Sequence, residues 1–219
     1  MGRSGGPADN RVIRRCPACA NELRAAARFC DNCGVNIGTA TPGERKQITV
    51  LFADVVGSME LAATLDAERL REIMDELFNR FAVVIGRYGG TVDKFTGDGL
   101  MALFGAPIAL EDHAIRAGLA ALEIQTAARR LAAEVRTRNA IDLAVRVGLN
   151  SGEVIAGDVG ASGYTAVGHP VGLAQRIESA APGGGVLCAE STARLIGRRG
   201  VLGTRQLIDA KGVHAPVPA

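Results

Sequence analysis

From Gln47 onward the chain runs as an apolar strand, a long amphipathic helix, two strands around a Gly-containing turn, a second long helix and a further strand. That β-α-β-β-α-β order predicts an α+β protein built on a ferredoxin-like, split βαβ core. Ahead of it, four cysteines in two Cys-x2-Cys pairs predict a small N-terminal zinc ribbon.

The first strand is QITVLFADV (47–55), a β-branched apolar run that closes on a carboxylate. In the next segment Leu70, Ile73, Met74, Leu77, Phe78, Phe81, Ile85 and Tyr88 recur at spacings of three and four, the mark of one buried helix face. Gly89-Gly90 ends that helix. TVDKFTGDGLMALFG (91–105) reads as strand, turn and strand. Residues 111–138 form a second long helix, with Glu111 and Asp112 suited to its positive N-terminal end. Residues 142–160 supply one or two strands and 164–168 another. Pro170 suits the first turn of a third helix that runs to about Ala181. After the APGGG break, GVLCAE is a late strand in which Cys188 is a core residue.

Length and composition bound the rest. A chain of 219 residues holds one ordinary domain and a small appendage. With 47% hydrophobic and 22% charged residues it is of soluble globular type, and lacking Trp its core rests on Leu, Ile, Val and Ala. No apolar run approaches the ~20 residues that span a bilayer, and residues 1–15 are polar and Arg-rich without a signal-type apolar stretch. No membrane association and a cytoplasmic location are expected. The net charge of +2 does not by itself point to nucleic acid. Residues 1–46 hold eight Arg/Lys against four Asp/Glu, so this segment either favours an acidic partner or is a solvated terminus. The expected organisation is a disordered basic tail (1–15), a ribbon (16–34), a linker (35–46) and a main domain (47–215).

Cys16, Cys19, Cys30 and Cys33 form two knuckles separated by ten residues. Each knuckle sets two thiolates on one side of a turn, and two knuckles complete a tetrahedron around Zn2+. Four thiolates leave no open position, so the metal is structural, and in a segment this short it supplies the folding energy. The ribbon's partner stays open between protein, nucleic acid and none.

Asp54 closes the first strand and Asp98 lies in the Thr96-Gly97-Asp98-Gly99 turn. In a split βαβ core those strands are neighbours, so the carboxylates converge. Two hard carboxylates with room for phosphate oxygens suit Mg2+ or Mn2+, and two such ions ~3.5–4 Å apart serve displacement at phosphorus. The loop Val56-Gly57-Ser58 can offer backbone N–H groups to phosphates. Taken singly, Asp54 is a helix cap and Asp98 a turn residue.

Together QITVLFADVVGSMEL, TVDKFTGDGLMALFGAP, VRVGLNSGEVIAGDVG and YTAVGHPVGLAQRIE, in this order, resemble the catalytic domain of class III adenylate/guanylate cyclases over roughly residues 46–215. The preceding ribbon is similar to that of a bacterial zinc-ribbon–cyclase subgroup. The resemblance implies a head-to-tail homodimer with two interfacial sites. In each, Asp54, Asp98 and the Val55 carbonyl hold two divalent ions that bind the triphosphate. The partner subunit reads the base of ATP with Lys94 and Thr165, supports the transition state with Arg176, and contacts the terminal phosphate with Lys211. The implied reaction converts ATP to 3′,5′-cyclic AMP and pyrophosphate in signalling.

Three positions depart from the family pattern. Gly172 stands where the family has an asparagine, residues 160–163 are short and uncharged, and His169 replaces an acidic or polar residue. Losing one preorganised donor costs ~10²–10³ in rate, so the implied cyclase is weak. The alternatives are a nucleotide-binding regulatory domain without turnover and a ribbon-led adaptor for nucleic acid or protein.

Overall fold

In a computed structural model of the chain, which describes residues 15–16, 18–24, 30–33, 43–139, 141–158, 164–208 and 216–219, strand β1 (Glu44–Val55) is the central element. It is followed by α1 (Ser58–Thr64), α2 (Ala67–Arg87), β2 (Thr91–Phe95), β3 (Gly99–Phe104), α3 (His113–Asn139), β4 (Val145–Asp158), β5 (Tyr164–Val167), α4 (His169–Ala180), β6 (Val186–Cys188) and α5 (Glu190–Ile196). A separate pair, β7 (Leu207–Ile208) and β8 (Val217–Pro218), closes the chain. The main sheet runs β2-β3-β1-β4-β5, with β6 added to β4. Its first four strands are antiparallel throughout, which is the split βαβ order the sequence predicts.

From Ile48 to Ala53 β1 is apolar apart from Thr49 because both of its faces are covered there. Leu51, Ala53 and Val55 pack in one layer with Ile73, Leu77, Phe81 and Ile85 of α2 and Ala117, Ala121 and Ile124 of α3. Ile48, Val50 and Phe52 face the opposite layer, with Met101, Val154, Ala166 of β5 and Ala174 of α4. A polar chain also crosses the core. His113 Nδ1 and Ser151 Oγ each lie 2.7 Å from Thr49 Oγ1, and Thr192 Oγ1 lies 2.9 Å from Ser151 Oγ. Each of these buried groups has a partner, which is the condition for leaving water.

Several boundaries differ from expectation. β1 begins at Glu44, inside the segment expected as linker, because Glu44, Arg45 and Lys46 lie across from Ala156, Ile155 and Val154 of β4. Arg45 then reaches Glu153 at 3.1 Å. Those charged residues carry no apolar signal, since pairing rather than burial holds them. Residues 145–158 form one long strand. α3 starts at His113, and Asp112, just before it, accepts from Arg116 Nε at 2.6 Å. The short helix α1 was not anticipated. The basic tail up to residue 14, most of the linker, residues 159–163 and Lys211 lie outside the described residues.

The sulfurs of Cys16, Cys19, Cys30 and Cys33 all lie within 4.8 Å of one another. Cys16 and Cys33 are 3.6 Å apart and Cys19 and Cys30 3.5 Å. A disulfide would require about 2.05 Å, whereas Zn–S bonds of about 2.3 Å in a tetrahedron set the sulfurs about 3.8 Å apart. The backbone N–H of Asn21 is the main group holding the Cys19 thiol down to about 6. The Cys33 backbone N–H lowers Cys30 in the same way. The cluster favours thiolates and is consistent with an N-terminal zinc ribbon. Among the described residues no helix is long and apolar enough to cross a membrane.

α4 crosses β4 in close contact. A Cβ added at Gly148 would lie 2.2 Å from the backbone nitrogen of Glu178. Gly148→Ala should therefore cost about 3 kcal/mol or more in denaturant unfolding, because neither backbone can yield. At Gly86, in the last turn of α2, nothing lies within 4 Å of an added Cβ. Gly86→Ala should stabilise by up to about 0.5 kcal/mol in denaturant unfolding.

Candidate functional site

Asp54 is the next-to-last residue of β1 and lies across from Gly99 on β3 and Arg146 on β4. Asp98 precedes Gly99, and its carbonyl accepts from the Val55 N–H at 3.1 Å. The two carboxylates are thus carried by adjacent strands, as the sequence predicts. Arg146 Nη2 donates to Asp54 Oδ2 at 2.9 Å, and its Nε donates to Glu178 on α4 at 2.5 Å. Ser58 Oγ donates to Asp98 Oδ2 at 2.5 Å.

Burial pushes the Asp54 carboxyl up from the ordinary carboxylate range; the neighbouring Asp98 pushes it further, and Arg146 opposes both. Burial likewise raises Glu178, against the pull of Arg146. Arg146 serves both Asp54 and Glu178, and Asp98 stands close enough to raise Asp54, so three carboxylates share one guanidinium's neighbourhood and a cation would relieve the excess negative charge. β3 packs closely on β1 beside the pair: a Cβ at Gly99 would lie 2.6 Å from the Ala53 carbonyl oxygen and 2.8 Å from Asp54 Oδ1, so only glycine fits there. Asp54, Asp98 and the Val55 carbonyl between them could hold divalent ions.

The loop beyond Asp54 is less open than expected. The Val56 N–H is donated to the Ala144 carbonyl at 2.9 Å. Gly57 takes a left-handed φ of 69° at the start of α1, which has no side-chain cap. The Ser58 hydroxyl at the same helix start serves Asp98.

A second cluster joins Lys94 and Thr165. They lie on β2 and β5, at opposite ends of the sheet path, yet Thr165 Oγ1 donates to Asp93 Oδ2 at 2.8 Å and Lys94 Nζ lies 3.5 Å from the same oxygen. The sheet curls so that β5 packs over the layer holding Phe52 and Met101. A bulge between Val92 and Lys94 inserts Asp93 as an unpaired residue. Such a bulge breaks the alternation of faces and turns neighbouring side chains the same way.

Arg176 stands apart from both clusters. No hydrogen bond or ion pair joins it to Asp54 or Asp98 among the described residues. Ala174, Ile177 and Glu178 are the buried residues of α4, so Arg176 projects from a different face. Gly172 lies one turn before it, and a Cβ there would meet only Arg176 Nη1, at 3.7 Å. A cavity of about 560 Å3 lies elsewhere, between α3, β6, α5 and residues 199–205, and contains none of these groups.

Asp93, Gly99, Arg146 and Glu178 belong to these clusters without having been singled out from sequence. Arg146 and Glu178 had a signal: each is a charge inside an apolar segment that the fold buries on one face. Asp93 had only its adjacency to Lys94, and Gly99 only its place in the turn.

Residues 41–214 match the model of the adenylate and guanylate cyclase catalytic domain. The crystal structure of the guanylyl cyclase Cya2 superposes with a TM-score of 0.77 at 34% identity, covering 81% of this chain and 91% of that one. The adenylyl cyclase CyaB from P. aeruginosa gives a TM-score of 0.76 at 32% identity, with 80% and 93% covered. The Mycobacterium tuberculosis protein Rv1319c is 32% identical over 174 residues, which are 73% of this chain and 31% of that protein. Adenylate cyclase 1 of Rhizobium meliloti is 28% identical over 137 residues, 61% of this chain and 21% of that one. The chain spans less than a third of the length of these curated relatives. With the family model covering most of its length and the paired carboxylates on adjacent strands, the chain belongs to the class III adenylate and guanylate cyclase catalytic-domain family.

Proposed function

We propose that the chain is an adenylate cyclase of low turnover, converting ATP to 3′,5′-cyclic AMP and pyrophosphate as a head-to-tail homodimer. The observation that carries this reading is the Asp54–Asp98 pair, crowded, partly buried and closely flanked by Gly99. Asp54, Asp98 and the Val55 carbonyl would hold two Mg2+ or Mn2+ ions. Such ions, when bound, make the ribose 3′-oxygen nucleophilic and neutralise the departing pyrophosphate. The Gly57 and Ser58 N–H groups approach the triphosphate, and Arg146 balances the carboxylates behind it. No covalent intermediate is required, so the residues act by positioning and by charge neutralisation.

A homodimer is supported by the division of the site. Arg176, Lys94 and Thr165 do not converge on the carboxylates within one protomer, and a second copy would supply them. Met59 and Phe95 are 79% and 57% exposed on the elements that carry Ser58 and Lys94, and a partner surface would cover such side chains. Lys211 is proposed to contact the terminal phosphate. The ribbon is proposed to bind structural Zn2+ through Cys16, Cys19, Cys30 and Cys33, and its partner stays open between protein, nucleic acid and none.

Gly172 favours a second reading, a nucleotide sensor without turnover. Purified protein incubated with ATP or GTP and Mg2+ or Mn2+ separates the two. Cyclic AMP and pyrophosphate above an Asp54→Asn control support the cyclase; ATP-dependent thermal stabilisation with no product supports the sensor. Asp54→Asn should lower turnover by at least about a hundredfold. In the metal-free protein the same change should raise the melting temperature near neutral pH. The folded-state pKa of Asp54 lies above its unfolded value, so its contribution to stability is present only at low pH and is lost as the pH rises through the folded pKa. The stabilisation produced by added Mn2+ should vanish in the variant.

Gly172→Asn should raise turnover by about tenfold or more, because the new amide would sit beside Arg176 in open space. An unchanged rate in a folded, ATP-binding variant would refute this placement of the lost donor. Chelation of Zn2+ should unfold the ribbon and release about one metal ion per chain, leaving the main melting transition in place.

A further inference from the structure

The likeness is divided almost evenly between a guanylyl cyclase at 34% identity and an adenylyl cyclase at 32%. Overall similarity therefore does not choose the purine, but the polarity of individual hydrogen bonds can. Thr165 Oγ1 donates its proton to Asp93 Oδ2 at 2.8 Å. A hydroxyl has one proton to give and two lone pairs, whereas a carboxylate only accepts. With its proton committed, Thr165 presents lone pairs alone to anything else that meets it. Lys94 Nζ, 3.5 Å from the same carboxylate oxygen, presents only donors. Together they make an acceptor beside a donor. Adenine offers the matching edge, an N6 amino donor next to the N1 acceptor, while guanine offers the reverse, an O6 acceptor next to an N1–H donor.

Stability alone is a poor reason for a carboxylate at this position. The Asp93 side chain is 1% exposed, while the lysine beside it is 52% exposed. A buried charge paired with a half-solvated one is less favourable than an apolar residue of similar size. The bulge at Asp93 and the curl that carries β5 over β2 bring the three side chains together.

We propose that Asp93 is a specificity-determining positioning residue. By holding the Thr165 hydroxyl as an acceptor and the Lys94 ammonium beside it, Asp93 selects a 6-aminopurine nucleoside triphosphate over a 6-oxopurine one. This rests on the cyclase function proposed above and concerns only the base-reading half of the site. Asp93→Asn replaces an obligate acceptor with an amide that can donate to Thr165. The hydroxyl is then released to donate to a 6-oxo group.

The test is equilibrium binding of 3′-deoxyATP and 3′-deoxyGTP with Mn2+ to the intact chain. These probes lack the attacking hydroxyl, so the measurement does not depend on turnover. The wild-type chain should prefer the adenine probe by about tenfold or more, and Asp93→Asn should bring the ratio close to one with the melting temperature little changed. If Asp93→Asn does not fold, Thr165→Val should collapse the same ratio. A wild type without preference, or an undiminished ratio in the folded variant measured, overturns the proposal. A wild type that keeps the preference yet yields no cyclic nucleotide from ATP ends the cyclase reading and leaves this one standing.

Discussion

A single ionic chain ties the Asp54 end of the sheet to the helix behind it. Asp54 on β1 is held by Arg146 on β4, and Arg146 is held by Glu178 on α4. The chain is possible only because α4 lies directly on β4, with no room for a Cβ at Gly148. That contact fixes the height and rotation of α4, and with them the direction in which Gly172 and Arg176 project. The placement of the Asp54–Asp98 carboxylates and of Arg176 thus depends on one backbone approach.

The carboxylate cluster is assembled against its own electrostatics. Burial and Asp98 both disfavour the charged form of Asp54, and one guanidinium does not balance three carboxylates. A protein selected for stability alone would have an apolar or singly charged strand end here. The imbalance fits a site that gives up stability while empty and recovers it when a cation binds. Gly99 serves the same end by keeping side-chain atoms away from the Asp54 oxygen.

The cluster of Asp93, Lys94 and Thr165 is built on a different principle. Its parts come from opposite ends of the sheet path, and curvature, rather than adjacency of strands, brings them together. The Asp54–Asp98 pair depends on register between neighbouring strands, which a local error of one residue would invert. The Asp93–Lys94–Thr165 cluster depends on how far β4 and β5 bend over the second face of the sheet.

The sequence by itself determined the strand and helix order, the four-thiolate cluster, the aspartate pair and the family. These follow from local periodicity, Cys-x2-Cys spacing and carboxylates at the ends of apolar runs. The start of β1 at Glu44 was not legible, because strand pairing rather than apolar pattern holds those charged residues. The Asp54–Arg146–Glu178 chain joins residues far apart in sequence whose only local mark is a charge in an apolar segment. Asp93 shows most clearly what the tertiary structure decided. Beside Lys94 it reads as an ordinary charged neighbour on a strand; only the bulge and the curl of the sheet bring Thr165 onto it and turn a hydroxyl of either polarity into an acceptor.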